Sequence, residues 1–450
     1  MSKVGQAPAG IYSDDGKVLD GFINFDSSIS RLIREYPTLA ALQASLPLPI
    51  GQYMVTGSDT VYVSDGVVLY NAKTGADVSS LRYVGHHVFL PDSFSSTNKQ
   101  ILTYDPQFAH EDLVGLQVEW PNWYVDNTTS GVETGTGAVA TLTASIEYPI
   151  GTRNQLTFSG SPSGTIADVS NLKSDPLSFT IPKGSKYIIR SFFVSTAGIV
   201  FCNKAAGAYG GALSEFGASG LTDKTMSGTI NSSGANQYYG ACAITAKSSK
   251  RAVALVGTSR IQGKGDTTDS SMQTGTIERS IGQFVCSANY GVNGDRADWY
   301  LTKAVNRANM LAYFTDIISD LGFNDYDSGG RSAAQVAADR QTLIAGKFAG
   351  KRIGWVTASP HTTSTDSFAT PGNQSIPSAP IEAIRVADNN SLRSGLINGI
   401  DYVIDVANIM ETFRDSGIWN SPGWTSDGKH ELQKANLAIV AARAVPVFKF

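Results

Sequence analysis

Cysteine is scarce in this 450-residue chain, occurring only as Cys202, Cys242 and Cys286. Three scattered thiols make neither a disulfide scaffold nor a tetrathiolate metal site, although a single Cys202 to Cys242 bridge stays open. The opening MSKVGQAPAGIYSDDG has no apolar segment behind a basic start. No later apolar run approaches the roughly 20 residues that span a bilayer. The expectation is a soluble protein with no signal peptide and no membrane partner. Excess charge is also lacking: 35 basic against 39 acidic residues leave a net charge of −4. That balance argues against a general polyanion-binding protein and against nucleic acid as partner. What is present is 42% hydrophobic side chains, enough for a core that needs no staples. At roughly 100 to 200 residues per domain, the length suggests two to four domains.

Composition and periodicity divide the chain at three places. Residues 1–17 are polar and Gly-rich, as in a flexible arm. Residues 18–95 read as a small attachment or oligomerisation module. Within it a helical stripe is expected from Ser27 to Leu46, with Pro37 able to start a second helix, followed by short strands at YMV, TVYV and VVLY. From 96 to 250, the runs TLTASIEYP, NQLTFSG, LSFTIP and YIIRSFFVS lie between turn residues and predict an antiparallel β-sandwich. The stretch Ala205 to Gly240 reads as long loops around it. From 251 to 450, AVALV, FVCSA, DIISDL, RIGWVTA and DYVIDV alternate with helical stretches at Trp299 to Phe314, Ala333 to Phe348 and Ile381 to Leu396. Five strands with crossover helices predict a parallel sheet covered on both faces, with ligands at the strands' carboxyl ends.

That rule selects a few loops. AVALV runs into Gly257-Thr258-Ser259-Arg260-Ile261-Gln262-Gly263, where glycine permits a tight turn that can lift the Ser259 hydroxyl into a cleft. Serine is a weak nucleophile alone and needs a base within about 3 Å together with donors for the developing oxyanion. Only five histidines occur, and only His361 and His430 lie in the same region as Ser259. His430 follows Asp427 by three residues at a helix entrance, so that a carboxylate can receive Nδ1–H and leave Nε2 facing outward. His361 lacks such an acid nearby in sequence, and His430 is preferred. The loops ANYGVNGDRA and DLGFNDYD, both at strand ends, offer the Gly294 amide and the Asn324 side chain as oxyanion donors.

These four blocks, in chain order, resemble those of the SGNH, or GDSL-like, esterase superfamily. The resemblance covers about residues 250 to 445. It implies a three-layer α/β/α, flavodoxin-like domain with Ser259 as nucleophile, Asp427 and His430 as acid and base, and the Ser259 amide, Gly294 and Asn324 as the oxyanion hole. The implied reaction proceeds through an acyl-enzyme and calls for no cofactor and no metal. One departure stands out. The family's aspartate beside the nucleophile is replaced by Thr258, from which altered hydrogen bonding in the turn is expected. Arg260 also replaces a residue that is often aliphatic, and either faces the cleft or takes a salt bridge or solvent.

Polar surroundings, with Tyr290, Trp299, Tyr326, Trp419 and Trp424 as candidate platforms, suit acetylated sugars better than a lipid interface. The order of arm, module, β domain and hydrolase-like domain resembles, more weakly, phage tail spike or tail fibre deacetylases. That resemblance implies a homotrimer on a virion tail, attached through a baseplate or tail protein and removing acetyl groups from host surface polysaccharide. A non-virion bacterial acetylesterase and a non-catalytic carbohydrate-binding tail protein are the alternatives. No paired-carboxylate site for a glycanase can be placed.

Overall fold

The protein is described from a computed structural model. It covers residues 81–445 apart from 87, 129, 203–210, 232–237, 268–272 and 421, together with strand backbone at 34–36, 51–55, 61–64, 69–71 and 80. The expected arm at 1–17 and most of the expected helix at 27–46 lie outside these residues. Within that helix, Arg34–Tyr36 is instead a strand, paired in parallel with Gly51–Val55. Tyr36 precedes Pro37, and a residue before proline is pushed out of the α region towards extended backbone. The strands Gly51–Val55, Val61–Ser64 and Leu69–Asn71 continue this small sheet in antiparallel order.

An antiparallel β-rich region follows. One sheet orders Arg153–Gln155, Ala140–Glu147, Lys186–Ser195, Gln100–Phe108 and Leu213–Gly217. A second orders Asn171–Lys173, Val114–Pro121, Ala243–Ser248 and Ser80–Tyr83. Two expectations change here. LSFTIP forms only an isolated bridge from Ile181 to Leu113, because Pro176 and Pro182 bracket it and proline cannot donate to a ladder. The presumed loop from 205 to 240 contributes the strand Leu213–Gly217. A hairpin, Trp123–Asp126 paired with Val132–Gly135, projects from the same region. Cys202 and Cys242 are both buried and are not joined in a disulfide, so the bridge does not form.

The C-terminal region is a parallel sheet flanked by helices. Its strands are β1 (Val88–Phe89), β2 (Ala252–Gly257), β3 (Cys286–Gly291), β4 (Asp316–Ser319), β5 (Arg352–Val356) and β6 (Tyr402–Ile404), in the order β6-β5-β4-β2-β3-β1. All five expected strands are present. The sixth, β1, is two residues long and comes from within the antiparallel region, just after Ser80–Tyr83, too short for any periodicity to show. Counted from β2, the order is second, first, third, fourth, fifth, which is the flavodoxin-like arrangement.

The helices are α1 (Glu278–Ile281), α2 (Ala297–Lys303), α3 (Asn306–Met310), α4 (Phe323–Asp327), α5 (Ala333–Ala345), α6 (Ala379–Arg393), α7 (Val406–Met410) and α8 (Gln433–Ala441). Side chains alternate along each strand and so divide between the two faces. Ala254, Val256, Ile317 and Trp355 join Tyr300, Leu343 and Leu392 from α2, α5 and α6 in one core. Val253, Leu255, Ile318 and Ile404 join Ile281, Met410 and Ile439 from α1, α7 and α8 in the other. The first core also contains Leu116, Trp120 and Phe193 of the antiparallel sheets. Tyr83 stacks on Phe314 at 4.8 Å, and the Tyr290 hydroxyl donates to the Cys242 carbonyl at 2.6 Å. The antiparallel region and the parallel sheet therefore share apolar contacts and fix each other's position.

Candidate active site

Ser259 follows the carboxyl end of β2. Gly257 there is a requirement of space, because a Cβ at this position would come within 1.9 Å of the Asp320 Oδ1. Asp320, just past β4, accepts from the Thr258 amide and the Thr258 hydroxyl, each at 2.7 Å. The turn that carries Ser259 is thus pinned by a carboxylate from the end of the neighbouring strand. A threonine hydroxyl within the turn donates to an acid outside it. Burial raises the Asp320 carboxyl to about 6, against the lowering effect of the Thr258 bonds. A further support comes from outside the sheet's main strands, where the Gln262 side chain donates to Asp92 at 2.8 Å.

The Ser259 Oγ lies 2.8 Å from Nε2 of His430, and Nδ1 of His430 lies 2.6 Å from Oδ2 of Asp427. The turn that sets this geometry is local. Oδ1 of Asp427 accepts from the amides of Lys429 and His430, both at 2.9 Å. Gly428 has φ +77, and a Cβ on it would meet the Thr362 carbonyl oxygen at 1.8 Å. Although burial works to raise it, the Asp427 carboxyl is held well below the usual carboxylate range by the His430 ring and the two amides. It remains an anion throughout the neutral range, suited to orient the ring and to stabilise an imidazolium.

Gly294 and Asn324 line the same cleft, of about 240 Å³, as Thr258, Ser259, Lys264 and His430. Neither the Ser259 nor the Gly294 N–H has a backbone acceptor among the described residues. Asn324, in α4, donates from Nδ2 to the Asp295 carbonyl at 3.0 Å, which leaves its second N–H for another acceptor. Asp325 turns away from the cleft and accepts from the Ala297 and Asp298 amides at the start of α2. Burial raises it to about 7. The five residues singled out by sequence thus lie together at one end of the parallel sheet.

Arg260 lines the Ser259 cleft, the first of its expected places, and is not in solvent. It is buried, with its guanidinium 4.3 Å from the Phe323 ring and donating to the carbonyls of Ser359 and Pro360 at 3.2 and 3.4 Å. Of the proposed platforms, Tyr290, Tyr326 and Trp419 are buried core residues, and Trp299 packs beneath Arg296 at 3.8 Å. His361 is not among the residues lining the Ser259 cleft and takes its acid from α4: Nδ1 is 2.9 Å from Asp327 Oδ1. Asp320 and Asp327 were not visible in sequence, since their partners lie 62, 34 and 102 positions away. Among the described residues, no group of three or more His, Cys, Asp and Glu side chains could hold a metal ion.

No family model and no curated protein matches the sequence. Solved structures are similar over part of it. A lipolytic protein of the G-D-S-L family from Veillonella parvula is 16% identical and covers 44% of this chain and 98% of its own, with a TM-score of 0.33. A carbohydrate acetylesterase from Sinorhizobium meliloti is 16% identical over 43% of this chain and 97% of its own, with a TM-score of 0.28. A peptidoglycan O-acetylesterase is 12% identical over 85% of this chain and 79% of its own, with a TM-score of 0.33.

Proposed function

We propose that the protein is a serine-dependent carboxylic ester hydrolase that removes O-acetyl groups from carbohydrate, bacterial surface polysaccharide being the intended substrate. The observation that carries this reading is the continuous chain Ser259 Oγ, His430 Nε2, His430 Nδ1, Asp427 Oδ2, at 2.8 and 2.6 Å. His430 takes the hydroxyl proton as Ser259 Oγ attacks the ester carbonyl. The Ser259 and Gly294 amides and the Asn324 side chain stabilise the tetrahedral oxyanion. His430 then protonates the departing sugar oxygen, leaving acetyl-Ser259. Water, deprotonated by His430, releases acetate and restores the serine. Preorganised donors of this kind each contribute about 3 to 4 kcal/mol to the transition state.

A small, polar cleft supports acetyl over a long acyl chain. Its lining includes Asn293, Asn324, Ser328 and Lys264, with Phe323 as its aromatic member. Release of acetate from O-acetylated polysaccharide, lost in Ser259→Ala with polymer length unchanged, is the expected result. Equal release by the alanine variant would reject the assignment. Shortening of the polymer would indicate a glycanase instead.

The setting on a phage tail spike or fibre, as a homotrimer, is a separable part of the proposal. What supports it is the order of arm, small β module, β-rich region and hydrolase-like region along the chain. Antibody labelling of purified virions tests the location, and sedimentation of the full chain tests the trimer.

A further inference from the structure

The strongest polar link between the antiparallel region and the parallel sheet converges on the proposed oxyanion site. Arg307, in α3, has a side chain with no exposed surface. Its Nε donates to Glu133 at 3.2 Å, its Nη2 to the Gly131 carbonyl at 3.2 Å, and its Nη1 to Asp295 at 2.6 Å. Glu133 and Gly131 both belong to the hairpin of the antiparallel region. The Glu133 carboxylate also accepts from the amides of Val305, Asn306 and Arg307 at 3.1, 2.6 and 3.0 Å, fixing the start of α3. Burial alone would lower the Arg307 pKa, but Asp295, Tyr300 and Glu133 raise it, so the guanidinium stays charged.

Asp295 is where this chain of contacts meets the site. It follows Gly294 directly, and its carbonyl accepts from Asn324 Nδ2 at 3.0 Å. Two of the three proposed oxyanion donors therefore depend on where Asp295 sits. The hairpin also touches this loop itself, because a Cβ on Gly294 would come within 3.3 Å of the Asn127 carbonyl oxygen. A strand-end loop with glycine at its tip has little rigidity of its own, and oxyanion donors act only when held at a fixed position.

We propose that the hairpin is a brace for the oxyanion site, with Glu133 and Arg307 as positioning residues that act through Asp295 on Gly294 and Asn324. The inference rests on the hydrolase reading above and adds that the antiparallel region contributes to catalysis without touching substrate. It assigns that region a role other than, or besides, glycan binding.

The test uses the full chain and a small acetyl ester. Glu133→Gln keeps the side chain's shape but removes the charge that holds Arg307. We expect kcat to fall about tenfold with KM unchanged, because a loosened oxyanion site weakens the transition state and not the ground state. In an Asn324→Ala background the same change should cost clearly less than tenfold, since only the Gly294 donor is left for the brace to hold and residues acting through one site are not additive. Unchanged kcat, or an equal tenfold loss in both backgrounds, overturns the brace. Should Glu133→Gln fail to fold by near-ultraviolet circular dichroism, Asp295→Asn at the other end of the link is read by the same two criteria. Absence of any Ser259-dependent hydrolysis in the wild type would instead reject the hydrolase reading, and the brace with it.

Discussion

Asp327 and Lys429 join the two halves of the candidate site. The ammonium of Lys429, one residue before His430, lies 2.9 Å from a carboxylate on the helix that carries Asn324. The other oxygen of Asp327 faces His361 Nδ1 at 2.9 Å. The segments of His430 and Asn324 are thereby tied through side chains and do not depend on their separate backbones alone.

Acid should weaken this tie. Burial would raise the Asp327 carboxyl, but the bonds from His361 and Lys429 bring it down to about 2. A carboxylate lowered on folding contributes stability that is present above its unfolded value, near 4, and is lost as the pH falls through 4 towards 2. The contribution is on the order of 2 kcal/mol for a group this little exposed. Melting temperature measured from pH 5 to 2 should fall less steeply in Asp327→Asn than in the wild type.

Asp320 and Asp325 work in the opposite direction. Burial raises them to about 6 and about 7. A raised acid binds its proton more tightly in the folded state, so stability falls as the pH rises from about 4 through these values. Asp320→Asn should flatten the decline in melting temperature between pH 4 and 6. An unchanged slope would mean that the pocket beneath Thr258 is better solvated than its burial implies.

Asn324→Ala should lower turnover of an acetyl ester by about two to three orders of magnitude, the range for losing one oxyanion donor. KM and melting temperature should change little. Single-turnover hydrolysis separates this loss from any effect on product release.

Gly428→Ala should remove activity by distorting the turn between Asp427 and His430. The backbone there has φ +77, and the added methyl would overlap the Thr362 carbonyl. A cost of about 1 to 3 kcal/mol in stability accompanies such strain. Calorimetry beside an esterase assay checks both, and an active Gly428→Ala protein would show that the turn has room to relax.

Legibility in the sequence followed chain distance. Asp427 and His430 are three residues apart in one turn, and Ser259 stands directly after an apolar strand, so local spacing was enough to select them. Arg307, Glu133 and Asp295 left no such mark. Their significance comes from contacts across 174 and 12 positions, and an arginine in a short helix reads as surface until its partners are known. Which of its expected places Arg260 takes was decided in the same way: the Phe323 ring and the Ser359 and Pro360 carbonyls that surround it belong to other segments. The expected helix around Arg34–Tyr36 gives way to a strand because Pro37 pushes the residue before it out of the α region, which apolar spacing does not register.

By itself the sequence determined the alternation of buried strand and helix after residue 251, and with it a parallel sheet whose carboxyl ends carry the polar loops. Those features depend on backbone preference and on burial with a period of two or 3.6, which neighbouring residues suffice to set. Only the tertiary structure decided which carboxylate meets which cation, that β1 joins the parallel sheet from within the antiparallel region, and that a hairpin of that region reaches the loop of Gly294. Such pairings depend on the packing of distant segments against one another, and a buried charge is tolerated only where that packing brings it a partner.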